Sequence, residues 1–177
     1  KNRVIGTGTI LETARLKQII GQIMEMDLRS IDAYVMGEHG ASMMVPWSHI
    51  RAGGKPFNEI LADNGTRYQN VNLAEIVDRI RTAGHDVMQA KGNTQYGIAS
   101  AVTGLVTAIL RDENKIYPVS AYLEGEYGIN GLYCGVPAMI NRNGIAEIGE
   151  FNLTALEQQQ LAASAKLLRE YTLRLNG

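Results

Sequence analysis

The sequence predicts an α+β fold in which helices pack on a mostly antiparallel sheet. Three observations lead there. Four segments repeat their apolar residues with a helical period, the run from Ile116 to Phe151 breaks into strand-like stretches, and Asn143-Gly144 within that run is a strong short hairpin signal.

The elements follow in order. Thr9 with Glu12 has the spacing of a capping box, and Ile10, Leu11, Ala14, Ile19, Ile20, Ile23 and Met24 continue it, predicting a helix over 9–25. Ile31 to Met36 reads as a short buried strand, closed by Gly37, Glu38, His39 and Gly40, where two glycines allow a tight departure. After Trp47 the chain is loop-like, with Gly53, Gly54 and Pro56, and Asp63, Asn64 and Gly65 mark a further turn. From Leu73 through Ile76, Ile80 and Met88 the helical period returns. A third helix starts near Thr94 or Gln95 and carries Ile98, Val102, Leu105 and Ile109. Strands are predicted over 116–123, 131–140 and 145–151. Thr154 with Glu157 repeats the capping-box spacing and opens a C-terminal helix of about twenty residues.

Composition narrows the function. The 177 residues are 45% hydrophobic and 20% charged, which fits one globular domain and excludes collagen, disorder and a disulfide scaffold. Seventeen basic and 18 acidic residues leave a net charge of −1 with no long run of either sign, which argues against nucleic acid or an anionic membrane as partner. No apolar stretch approaches the roughly 20 residues of a membrane helix. The single Cys134 has no partner in the chain, pointing to a reducing compartment and away from a cysteine-based metal site. The chain opens at Lys1 and runs directly into Val4-Ile5-Gly6-Thr7-Gly8, which reads as a strand end feeding a helix and hence as an entry into the middle of a longer protein.

Few residues carry chemistry. Arg15 stands at i+3 from Glu12 on the mainly apolar side of the first helix, so its guanidinium needs an anion. Either Glu12 supplies it, or the planar fork receives a ligand carboxylate in a bidentate manner. His39 is the best acid/base candidate of the three histidines because it leaves a strand end between glycines, and Glu12 is a candidate to orient its ring. Gly6-Thr7-Gly8 is rejected as a phosphate loop because Leu11 replaces the third glycine of the dinucleotide fingerprint. No motif supports a metal. Met43 and Met44 beside Trp47 read as core or interface.

Taken in register, GTGTILETAR from Gly6 to Arg15, GEHG from Gly37 to Gly40, KGNT from Lys91 to Thr94, YPVSAYLEGE from Tyr117 to Glu126 and GVPAMINRNG from Gly135 to Gly144 resemble one family. It is the C-terminal, substrate-binding half of the lactate/malate dehydrogenase superfamily, with its bacterial L-lactate members most similar. The resemblance covers the whole chain, 1–177, and implies that an NAD-binding half precedes Lys1, so that this chain alone is inactive. It implies NAD as cofactor, a 2-oxo or 2-hydroxy acid as substrate, a homo-oligomer, and a cytoplasmic location.

By position, His39 matches the family's proton donor and acceptor, and Arg15 the arginine that grips the substrate carboxylate. Glu12 stands where the family has an aspartate paired to the histidine, one methylene longer. Thr94 matches a threonine of the substrate side-chain pocket, while Ile98 and Thr7 match contacts to the nicotinamide. Lys17 and Asp32 occupy positions where many bacterial members hold fructose 1,6-bisphosphate with Arg and His, and Asp32 would repel a phosphate. The activity implied is interconversion of pyruvate and L-lactate. A branched L-2-hydroxyisocaproate dehydrogenase, whose members also carry GTGT, is the near alternative. A noncatalytic module that associates through apolar helix faces such as that of Leu73, Ile76 and Ile80 is the other, unless that stripe is buried within one chain.

Overall fold

The computed structural model describes residues 1–63 and 67–175; Asn64 and Gly65, expected as part of a turn, lie outside the described residues. Its elements are α1 (Ile10–Met24), β1 (Ile31–Asp32), β2 (Arg51–Ala52), β3 (Lys55–Pro56), α2 (Phe57–Asp63), α3 (Leu73–Lys91), α4 (Gln95–Arg111), β4 (Lys115–Glu124), β5 (Asn130–Asn141), β6 (Gly144–Ile148) and α5 (Ala155–Leu175). Strands β4, β5 and β6 form an antiparallel meander, and β1, β2 and β3 a second, much smaller antiparallel sheet. The architecture is the α+β arrangement that the periodicities predict.

Two hydrophobic clusters hold it. One joins the meander to α4 and α5 through Val119, Leu123, Val136, Ile140, Leu105 and Leu161. The other joins α1, α2 and α3 through Leu16, Ile20, Val35, Phe57, Ile76 and Ile80. Ile76 and Ile80 are therefore core, so the α3 stripe offered as an association face is internal. Exposed apolar residues cluster on α4, at Ile98, Val102, Val106 and Leu110, with Val87 and Met88 exposed near the end of α3. Cys134 is a core residue whose thiol is pushed up to about 11 by burial, so it is no nucleophile at neutral pH.

The segment ahead of α1 lies along β4, where Gly6 exchanges backbone hydrogen bonds with Ser120 at 3.1 and 3.0 Å. Gly8 has φ +52°, and a Cβ there would stand 2.5 Å from the Ser120 nitrogen, so contact with the strand backbone requires glycine. The glycines of this run serve chain packing.

Several sequence expectations are corrected. The Thr9–Glu12 capping box does not form, because Thr9 donates its hydroxyl to the Val35 carbonyl at 2.5 Å and Glu12 is engaged by His39. The predicted strand over 31–36 is only two residues long: Val35 bonds through its amide to the Thr13 hydroxyl at 2.9 Å, and Met36 and Gly37 form isolated bridges to Met44 and Gly135. The hydroxyls of Thr9, at the N-cap of α1, and Thr13 replace a neighbouring strand there. The loop after Trp47 contains β2 and β3 and runs into α2, none of which has a long enough pattern to show in the sequence. The hairpin turns on Arg142-Asn143, with Gly144 at φ +98° opening β6 opposite Asn141, and β6 ends at Ile148 rather than 151. The second capping box is present: Glu157 accepts from the Thr154 amide at 2.9 Å and the Thr154 hydroxyl accepts from the Glu157 amide at 3.3 Å.

Candidate active site

His39 leaves a loop that is pinned on three sides. Gly37 and Gly135 exchange backbone hydrogen bonds at 2.8 and 2.9 Å, tying the loop to the central strand β5. The Glu38 amide donates to the Ser164 hydroxyl of α5 at 2.7 Å, and the Glu38 carboxylate accepts from the Ser42 amide and hydroxyl at 2.9 and 2.7 Å. The backbone on either side of His39 is thus fixed while its side chain stays 66% exposed.

Helix α1 brings up the opposing groups. Its first turn carries Glu12, whose side chain is 5% exposed, and its second carries Arg15, 25% exposed. His39 Nδ1 lies 2.7 Å from Glu12 Oε1, a charge-assisted hydrogen bond when the ring is protonated. That bond raises the His39 pKa above its ordinary value, against a lowering by burial; the Glu12 and Glu38 charges add to the rise and the Arg15 charge opposes it. With Nδ1 engaged, Nε2 is the nitrogen left to meet a ligand. The other carboxylate oxygen of Glu12 is buried and has no hydrogen-bond partner among the described residues.

Arg15 Nη1 is 3.7 Å from Glu12 Oε1, close enough for attraction and too far for a hydrogen bond. Glu12 is thus its nearest anion, and among the described residues none accepts a hydrogen bond from its guanidinium. A cleft of about 270 Å³ collects these groups, lined by Leu11, Glu12, Arg15, His39, Thr94 and Gly84 among others. Thr94 precedes α4 and makes no side-chain cap hydrogen bond, which leaves its hydroxyl for the cleft. Thr7 and Ile98 do not line it: Ile98 is 39% exposed on α4, one turn beyond Thr94, and Thr7 is half-buried ahead of α1.

Two lining residues were missed in the sequence, and Met43, read there as core or interface, is buried and borders the cleft as well. Gly84 of α3 lies against the Arg15 guanidinium, where an added Cβ would be 3.6 Å from Nη2. Arg81, one turn earlier, also reaches the cleft. The i, i+3 spacing of Arg81 and Gly84 was the available signal, but nothing in it said that this face of α3 meets α1. His49 and His85 lie elsewhere, His49 stacked on Phe151 with centroids 4.8 Å apart and His85 beside Gln89. Among the described residues no group of three His, Cys, Asp or Glu is placed to hold a metal ion, and no helix is long and apolar enough to cross a membrane.

The cleft thus brings together an imidazole held by a buried carboxylate and a guanidinium, with a pinned loop behind them: a group able to move a proton beside one able to hold an anion. The chain belongs to the lactate/malate dehydrogenase family, whose alpha/beta C-terminal domain it matches over residues 9–173.

Among curated relatives, L-lactate dehydrogenase 1 of Bifidobacterium longum subsp. longum is 47% identical over 171 residues, 97% of this chain and 54% of that protein. L-lactate dehydrogenase 3 of Bacillus anthracis is 44% identical over the same shares. Of solved structures, the minor L-lactate dehydrogenase from Enterococcus mundtii in its ligands-bound form matches with a TM-score of 0.90 at 37% identity, over 96% of this chain and 54% of that one. The malate dehydrogenase from Salinibacter ruber matches with a TM-score of 0.87 at 31% identity, over 99% and 55%. The chain spans about half the length of the curated relatives it matches.

Proposed function

We propose that this chain is the substrate-binding and catalytic half of an NAD-dependent L-lactate dehydrogenase that interconverts pyruvate and L-lactate in the cytoplasm as a homo-oligomer. The observation that carries the reading is the 2.7 Å contact between His39 and buried Glu12 in a cleft shared with Arg15. Arg15 holds the substrate carboxylate bidentately, which fixes the 2-oxo carbon and its oxygen relative to His39. His39 then donates its Nε2 proton to the carbonyl oxygen, and takes the proton back from the hydroxyl in the reverse direction. Glu12 holds Nδ1 and stabilises the imidazolium, so the proton is present when it is needed. Thr94 borders the substrate side chain.

NAD, when bound, supplies or accepts the hydride at the carbon that carries this oxygen. Outside the cleft itself, Ile98 offers an exposed apolar surface one turn from Thr94, and Thr7, ahead of α1, a hydroxyl, and these two would meet its nicotinamide. The remaining contacts to NAD come from a preceding half of the parent protein. Lys17 sits near Asp32, whose charge opposes a phosphate, and no bisphosphate is required for activity.

The test is NADH oxidation by the parent protein with pyruvate and with 2-oxoisocaproate. Pyruvate is the better substrate; His39→Asn lowers kcat by about 10²–10⁴, and Arg15→Lys raises KM by replacing a fork with a point charge. Preference for 2-oxoisocaproate would assign the branched hydroxyacid activity instead, and absence of turnover with either acid would overturn the reading. A sharp rise on adding fructose 1,6-bisphosphate would refute effector independence.

A further inference from the structure

The cleft carries one more cation than the reaction requires. Arg81 of α3 lines it together with Arg15 and His39; of the nearby carboxylates, Glu12 is already bonded to the His39 ring and Glu38, whose charge also reaches that ring, is held by Ser42. The side chain of Arg81 is 39% exposed, and its ion partner is Asp78 on its own helix, with Nη1 to Oδ1 at 3.0 Å. Arg81 also borders a second groove that joins the cleft at Met43 and is lined largely by apolar residues, among them Val45, Trp47, Val77 and Leu167. It therefore stands where the cleft and this groove meet, partly exposed and tethered by Asp78.

Given the site reading above, on which this rests, we infer that Arg81 is a specificity-determining residue that captures anionic substrates at the mouth of the cleft and favours their carboxylate before Arg15 takes it. A chain with net charge −1 has no general attraction for a small anion, so a local excess of positive charge must supply it. Asp78 moderates that excess. The chemistry recognised is the carboxylate of a small 2-oxo acid.

The experiment titrates the full chain with oxamate, a non-reacting 2-oxo acid analogue, following the ring resonances of His39 by NMR at about 0.01 M and about 1 M salt, where the Debye length falls from about 30 to about 3 Å. Arg81→Gln weakens binding by about 3- to 5-fold at low salt and by less than about 2-fold at high salt, and Asp78→Asn tightens it at low salt. Arg79→Gln, which removes the same charge from an exposed position of the same helix outside the cleft, leaves binding unchanged. Equal oxamate affinity of the wild-type and Arg81→Gln chains at both salts overturns the Arg81 inference and leaves the site reading standing. Loss of affinity of equal size in Arg79→Gln overturns it as well, by assigning the effect to net charge. Absence of any His39 response in the wild-type chain overturns the anion site and this inference together.

Discussion

Replacing Gly135 with alanine tests whether the loop that carries His39 is set by backbone contact with β5. A Cβ at position 135 would lie 2.5 Å from the Gly37 carbonyl oxygen, with the Thr9 methyl and hydroxyl at 3.2 and 3.3 Å. Neither neighbour can yield: Gly37 is bonded to Gly135 in both directions, and Thr9 is held by Val35. Separating the two backbones forfeits two hydrogen bonds worth about 1 kcal/mol each, and overpacking costs about 1–3 kcal/mol more. Reduced freedom of the unfolded chain returns about 1 kcal/mol, leaving a destabilisation of about 2–4 kcal/mol. In a domain of this size that lowers Tm by roughly 5–15 °C.

Gly84→Ala is the matched comparison. It lies inside α3, its Cβ would meet Arg15 at an ordinary 3.6 Å, and it gains helix propensity. It raises stability by about 0.4–1 kcal/mol. Urea unfolding followed by circular dichroism compares the midpoints of both variants with the parent at constant m-value, and NMR of His39 reports whether its bond to Glu12 survives. A Gly135→Ala chain as stable as the parent, with the His39 signal unmoved, would refute the reasoning.

Three further outcomes are expected. Glu12→Gln brings the His39 pKa down toward its ordinary 6.5, read by NMR titration; because Glu12 raises that pKa in the folded state, the pair stabilises the fold fully below the unfolded value and loses this contribution as pH rises through the folded one, so the variant shows a flatter stability profile across that window. Phe57→Ala removes a side chain with no solvent exposure and lowers stability by about 3–5 kcal/mol, measured by urea unfolding. Glu157→Ala removes the acceptor half of the α5 capping box and the acceptor of the Ser48 amide and hydroxyl, costing about 1–2 kcal/mol, with faster hydrogen exchange at the Ser48 amide as its signature. For Glu157 itself, burial pushes its pKa up but hydrogen bonds from Ser48 and Thr154 outweigh it and hold the pKa low, so this stabilisation is present above the unfolded pKa and fades as pH falls through the folded one.

The helices and the meander were legible because their signals are local. Leu73 to Met88 and Ile98 to Ile109 show the helical period without reference to anything distant, and Thr154–Glu157 forms the cap that its spacing announces. Identical spacing at Thr9–Glu12 misleads because two distant groups, the Val35 carbonyl and the His39 ring, compete for those side chains and win. The same cause shortens the strand predicted from Ile31 to two residues and hides the approach of α3 to Arg15. Local pattern does not encode which segment arrives from elsewhere. Of the candidate site, His39, Glu12, Arg15 and Thr94 meet in one cleft, whereas Arg81 and Gly84 become visible only once α1 and α3 are side by side.

Thr9 at the N-cap of α1 and Thr13 in its first turn clasp Val35 and fix the alignment of the site. Thr9 takes the carbonyl and Thr13, one turn along, gives its oxygen to the amide of the same buried residue. Were α1 to slide by a turn, that amide and carbonyl would both be left dry and unbonded, at a cost of about 1–3 kcal/mol each. Apolar packing tolerates small displacements; this clasp does not, and it acts as a register key between the helix bearing Glu12 and Arg15 and the segment leading to His39. The surrounding hydrophobic residues are consequently free to drift in sequence, exchanging volume with one another, while the spacing between guanidinium and imidazole stays the same.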